Sequence, residues 1–321
     1  MLKSSNKARE IGRNVRTALG KNSKGLATSL QRPHPTGDGM EICDTQTSLV
    51  DASIDEATAR FTRATDISPF MTDPLLSEVG PMAELPGADV ILAGTFECPP
   101  ETDQYTQLLI QHLATPPEVM AAGDIPLDIP LKEHQRAWKQ QNHHTAADPR
   151  NLSFAHHKAG AHDKSISQVD TTIRSAPIQA GFSPPSWEFM SDCSIPKKAN
   201  NLLASAMRII VLMAALFNMN NKMIGKRVME RMEDLRLMVQ EQAGGRKNHQ
   251  SAHQALNKVL SSDILRFNRQ AGFFCCNDAI QCYDRIAHPV AILALRRLGV
   301  PASATESMFG VLQRAKHSVL T

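Results

Sequence analysis

Long apolar runs are missing from this sequence. The stretch from Val211 through Phe217 is apolar, but a membrane-spanning helix needs ~20 such residues, so no transmembrane protein is expected. The start of the chain lacks the apolar core of a secretory signal. Its six cysteines (Cys43, Cys98, Cys193, Cys275, Cys276 and Cys282) include no CxxC pair. Reduced thiols in an intracellular chain, cytoplasmic or nuclear, are therefore expected. A large excess of positive charge is missing too. The formal net charge is +3, which excludes a chain that is basic throughout but leaves room for basic patches.

What is present is unevenly placed. Hydrophobic residues make up 42% of the chain and charged residues 21%, enough apolar material for a real core. The length allows one large or two ordinary domains. Up to about Lys24 the only acid is Glu10, set against Lys3, Lys7, Arg9, Arg13, Arg16, Lys21 and Lys24. That composition fits a transit peptide or a basic arm on nucleic acid, and a solvated, unstructured start fits it better. Between Gln31 and Pro100, scattered prolines and little sustained periodicity predict a largely irregular stretch, apart from a helical turn around Ile54 to Phe61.

Order is expected to return near Asp103, where Tyr105, Leu108, Leu109, His112 and Leu113 share a helical face, and again in a short helix from Leu131 to Gln141 carrying Trp138. The histidines that follow (His143, His144, His156, His157, His162) have no cysteine or paired carboxylate at a structural-zinc spacing. They are expected to be solvated loop residues rather than a metal site.

From Trp187 the local signals agree better with one another. Phe189–Ile195 and Met207–Leu212 predict two strands joined by a connection that begins Pro196, Lys197, Lys198, which makes a basic hairpin. A helix is expected next, with Ile224, Val228, Met232, Leu235 and Met238 inward. A second starts at Ser251, with Ala252, Ala255, Leu256, Val259, Leu260 and Ile264 inward. Gly244 and Gly245 separate the two, beside Arg246 and Lys247. Gly272 to Asp278 suits a strand buried on both faces. After Asp284 a helical pattern resumes, with His288 and Pro289 marking a start or a kink, Gly299 the stop and Pro301 beyond it. Ser303 and Glu306 form a capping box for a last helix, with Met308, Phe309, Leu312 and Ala315 inward.

An aspartate at the end of a buried strand, just before a turn into a helix, suits a first carboxylate for Mg²⁺ in phosphoryl transfer. Tyr283, on the turn after Asp278, could pack beneath a nucleotide sugar. On spacing alone a simple helix N-cap explains Asp278 better.

The string CCNDAIQCYDRIAHPVAILALRRLGVP resembles motif A of reverse transcriptases of retroelements, in the group that carries CYDRI. In the same order come WEFMSDCSIPKK, MRIIVLMAALFNMNNKMIGKRVMERMEDL, EQAGGRKNHQSAHQALNKVLSSDILR and, after motif A, SMFGVLQRAKHSVLT. Weaker similarity upstream extends the match over roughly Leu131 to Thr321. The resemblance implies an α+β fold, with a partial polymerase fingers and palm over 187–321 and a helical or irregular upstream part over 101–186; composition, not the resemblance, predicts a poorly ordered region over 1–100. It implies RNA-directed DNA synthesis with Mg²⁺, deoxynucleoside triphosphates and an RNA or DNA template-primer. Residue by residue, it implies that Asp278 is the motif A metal ligand and Tyr283 the sugar gate. Arg208 would grip the triphosphate of the incoming nucleotide, a task suited to a guanidinium fork. Lys222 and Arg246 match basic positions that lie near template or nucleotide in the family. Apart from the resemblance, Lys197 and Lys198 of the basic hairpin are candidate nucleic-acid contacts.

The sequence also departs from the family pattern. Ala243 and Gly245 stand where the family has tyrosine and serine, Leu216 where it has aspartate, and Asn151 and Ser153 where it has glycine and histidine. The family's QG block, its paired aspartates and its thumb do not follow Thr321. The resemblance therefore implies a truncated domain, inactive by itself, whose cut palm edge a protein partner could cover. The alternatives are a non-catalytic nucleic-acid-binding or protein-interaction module and an unselected gene fragment.

Overall fold

The computed structural model describes residues 29–320 except 35, 38, 66–67, 143–149, 151, 198–200, 274 and 276–284. The basic start of the chain lies outside the described residues, as do Asp278, Tyr283, Lys198, His143 and His144.

Helix and strand are mixed, as an α+β chain requires. Strands β1 (Leu30–Pro33) and β2 (Met40–Cys43) form an antiparallel hairpin in which Leu30 faces Cys43. Helix α1 (Gln46–Thr65) packs on it, burying Leu30, Cys43, Leu49 and Ala52 with the more distant Met207. Four short helices follow: α2 (Leu75–Val79), α3 (Pro86–Ala93), α4 (Gln104–His112) and α5 (Pro117–Ala122). Proline opens α3 and α5, where a missing N–H costs nothing. Gly94, left-handed at φ 75°, closes α3.

The expected irregular stretch is thus corrected for residues 29–100. Helices of five to eight residues, such as α2 and α3, are too short to show a sustained helical period. Their proline and glycine boundaries read as linker in the sequence.

Helix α4 begins as expected, with the Asp103 carboxylate accepting from the backbone N–H groups of Tyr105 and Thr106. The buried face differs from the expected one. Thr106, Ile110 and Leu113 turn inward while Tyr105, Leu108 and Leu109 are exposed, because the partner surface lies elsewhere in the chain. Ile110 and Leu113 pack with Phe70, Leu75, Val79 and Ile91, and with Ile292, Leu293 and Phe309 far downstream.

Helices α6 (Leu131–Lys139), α7 (Phe154–Gly160) and α8 (Lys164–Ala180) come next. Trp138 is fully buried. Two of the histidines expected in solvated loop are structural instead. His156 closes a capping box with Ser153 at the start of α7. His157 stacks on Trp138 with ring centroids 4.7 Å apart and meets the Asp170 carboxylate at 2.9 Å.

The predicted hairpin is present: β3 (Phe189–Pro196) and β4 (Met207–Leu212) pair antiparallel with Ile195 opposite Arg208. A third strand, β5 (Lys316–Leu320), was not expected. It pairs parallel with β3, giving the order β4-β3-β5. Helix α9 (Ala215–Asp234) buries Phe217, Met223, Ile224 and Val228, but ends before Met238.

Helix α10 (Ser251–Phe267) is in the expected place, but its stripe is not a core face. Leu256, Val259, Leu260 and Ile264 are all exposed, because no described element packs over that side. Of the strand expected from Gly272, residues Gly272, Phe273 and Cys275 are described and are not strand; the rest lies outside the described residues.

Helices α11 (His288–Arg296) and α12 (Ala302–Gln313) close the chain before β5. The expected capping box at Ser303 is absent: Pro301 occupies the N-cap, which puts Ser303 inside the helix. The inward face of α12 is also rotated. It buries Ala304, Phe309 and Val311 and leaves Leu312 exposed, because α12 packs against α8 and α11 and Val311 joins Met190 of β3 in one cluster.

Candidate nucleic-acid interface

The sheet sets out its side chains by two simple rules. Opposed residues share a face, and so do alternate residues along a strand. Arg208 is opposite Ile195, and Lys197 lies two residues beyond Ile195, its backbone N–H donating to the Ala206 carbonyl at 3.1 Å. Both side chains are exposed and both belong to one face. Phe189 falls on that face by the same alternation, with Lys316 of β5 opposite it. The Lys316 ammonium and the Arg150 guanidinium each sit 5.4 Å from the centre of the Phe189 ring. The outcome is one face with a basic pair at one end and an aromatic ring between two cations at the other, with Ser191 and Cys193 buried between them.

The opposite face anchors the sheet. Met190 and Val211 pack with Trp187, Phe217 and Val311. On the same side, His317 meets the Asp192 carboxylate at 2.9 Å. That hydrogen bond raises the His317 pKa above the ordinary imidazole value, with burial opposing it. The turn end of the hairpin is held from upstream. Buried Arg60 of α1 donates to the carbonyls of Ala204, Ser205 and Met207, and the Gln31 N–H donates to the Leu202 carbonyl.

Of the residues expected at a site, Lys197 and Arg208 come together here. Lys222 does not join them. It lies on α9, donates to the Gln141 side-chain carbonyl at 2.9 Å and lines a cavity among helices. Arg246 is committed to the α9–α10 connection. Its guanidinium grips Glu233 through two 2.7 Å hydrogen bonds and donates to the carbonyls of Val239 and Gln242. That fork holds the Glu233 carboxyl below its ordinary pKa and raises that of Arg246. Asp278, Tyr283 and Lys198 lie outside the described residues.

Sequence reasoning missed Phe189, Arg150 and Lys316 as a group. Arg150 and Lys316 are far apart in sequence, and Lys316 joins the group only through the unforeseen parallel strand. Among the described residues, no three histidine, cysteine, aspartate or glutamate side chains gather where they could hold a metal ion. No described helix is long and apolar enough to cross a membrane. Cys43, Cys98, Cys193 and Cys275 are not in disulfides. No family model matches the chain, and no curated protein matches it.

Proposed function

We propose that the chain is a reverse-transcriptase-like module that engages an RNA or DNA template-primer through phosphate contacts from the β4-β3-β5 sheet. The supporting observation is the shared face of Lys197, Arg208, Phe189 and Lys316. From Phe189 to Lys197 that face runs roughly 26 Å along the strand, the length of about eight base steps of one strand. Exposed cations at the two ends of that face would meet phosphates several steps apart, and an aromatic ring between cations offers a stacking platform for a base. The sequence blocks supply the polymerase family. In this proposal Asp278 would be a ligand for Mg²⁺, which would neutralise phosphate charge, and Tyr283 would contact the sugar of a deoxynucleoside triphosphate.

The test is binding of the 321-residue chain to a fluorescent template-primer duplex across a range of salt concentrations. Each phosphate contact on duplex DNA contributes about −0.9 to the slope of log affinity against log salt. Lys197→Ala and Arg208→Ala should each weaken binding across all sequences and flatten the slope by about one. Asp278→Asn should leave affinity unchanged or slightly higher, because it removes a negative charge near phosphates. Affinity indifferent to salt and to both alanine variants would rule out the sheet as the interface.

A further inference from the structure

A cavity of about 320 Å³ lies among α6, α8 and α9. Its walls come from helices and the loops beside them, with no residue of the sheet. Its deepest charge is Arg174 of α8, only 1% exposed. Nε of Arg174 donates to the Asn220 side-chain carbonyl at 2.9 Å and Nη1 donates to His134 Nδ1 at 3.0 Å. No carboxylate among the described residues pairs with it. The two nearby acids are engaged elsewhere, Glu133 with Arg227 and Asp170 with His157, each at 2.9 Å. Burial lowers the Arg174 pKa to about 10, with Asp170 and Glu133 opposing, so the group is cationic at neutral pH. A buried charge without a counter-ion is costly and marks a place where an anion would be stabilised.

His134 adds a second group of the same kind. Arg174 can only donate, so His134 Nδ1 must accept, which puts the proton of the neutral ring on Nε2. That nitrogen is buried and has no partner among the described residues. At the mouth of the cavity stand Lys222 and Lys226. Lys222 touches only a neutral amide, Gln141; Lys226 reaches Glu230 at 3.5 Å, with both side chains well exposed. The rest of the wall is mixed: Ile129, Ala137, Met219 and Met223 are apolar, Arg136, Gln140 and Gln141 are polar, and Glu133 also lines it with its carboxylate held by Arg227.

We propose that this cavity binds a small organic phosphate. Its head would meet the Arg174 guanidinium, the His134 Nε2–H and the Lys222 ammonium, and its apolar body would lie on Met219 and Met223. Several converging donors suit the three terminal oxygens of a phosphate better than the two of a carboxylate. A volume near 320 Å³ exceeds what inorganic phosphate fills and sits at the lower end of ordinary small-molecule sites. Such a site goes beyond template-primer binding and uses different elements.

Calorimetric titration of the whole chain with phenyl phosphate, benzoate and inorganic phosphate, at one fixed ionic strength, tests the proposal. Phenyl phosphate should bind at least tenfold more tightly than either of the others. The double variant Lys222→Ala, Lys226→Ala, which changes only the rim, should weaken it about tenfold. Arg174→Gln should abolish binding, its circular dichroism confirming that it still folds. If Arg174→Gln does not fold, the rim variant decides alone. Equal affinity in the rim variant, benzoate binding as well as phenyl phosphate, or no heat from any probe would each overturn the proposal. No nucleic acid enters this titration and no phenyl phosphate enters the duplex assay, so the two readings fail separately.

Discussion

His134 and His317 are displaced from the ordinary imidazole range in opposite directions, and each direction follows from its neighbours. Burial, aided by the charge of Arg174, lowers the His134 pKa to about 4. The folded state therefore resists protonation that the unfolded chain accepts, and its stabilising effect, complete above about pH 6.5, is lost as pH falls towards 4. Thermal unfolding of His134→Gln should show a shallower loss of stability between pH 6.5 and 4 than the parent chain. His317 gains a carboxylate partner and its pKa rises. Its contribution is present below the unfolded value near 6.5 and fades as pH rises through the folded value. The stability gap between the parent and His317→Gln should accordingly narrow from pH 6 to pH 8.5. An unchanged gap would mean that the Asp192 contact contributes nothing in solution.

Helices separate what a local pattern can specify from what it cannot. Helix α10 has a regular apolar stripe and still leaves it exposed, so Leu260→Ser should change stability by no more than about 0.5 kcal/mol. Ile91 of α3 sits in a short element that gave little sequence signal, yet it is fully buried in the largest cluster. Ile91→Ala should cost about 2–5 kcal/mol. Denaturant unfolding of both variants checks the contrast, and a Leu260→Ser chain as unstable as Ile91→Ala would show that the α10 face is covered after all. Gly299, the stop after α11, adopts φ 85°. A β-carbon there would meet the Gly123 carbonyl and the guanidinium of Arg231, while the Gly299 carbonyl accepts from the Ile125 N–H. Gly299→Ala should therefore destabilise by more than about 1 kcal/mol.

Across the whole molecule, distant parts of the chain share one interior. Phe70, Leu75, Val79 and Ile91 pack with Ile292, Leu293 and Phe309. A second cluster joins Ile125, Ile129 and Ile178 to Ile224, Val228, Val300 and Ala304. Apolar surface buried between segments ~200 residues apart couples their unfolding. The full chain should melt in a single transition, and residues 187–321 produced alone should lose that transition, because α11 and α12 would expose the face they now bury. A fragment that melts cooperatively at the temperature of the full chain would show that the upstream helices contribute no stability to the C-terminal part.

Sequence by itself determined the features whose causes are local. Asp103 caps α4 through the backbone of the next turn, Gly299 ends α11 by its own φ, and the Phe189–Ile195 and Met207–Leu212 segments are short enough and apolar enough to read as two strands. Tertiary structure alone decided which face of each helix is buried, because the partner surfaces come from segments far away in sequence. It rotated the inward faces of α4 and α12, left α10 uncovered and added β5 to the sheet, which brought Lys316 to Phe189. It also buried Arg174 beside His134 with no carboxylate among the described residues paired to it. No local pattern announces that pair, since a lone arginine in a polar helix looks like a solvated charge until three helices close around it.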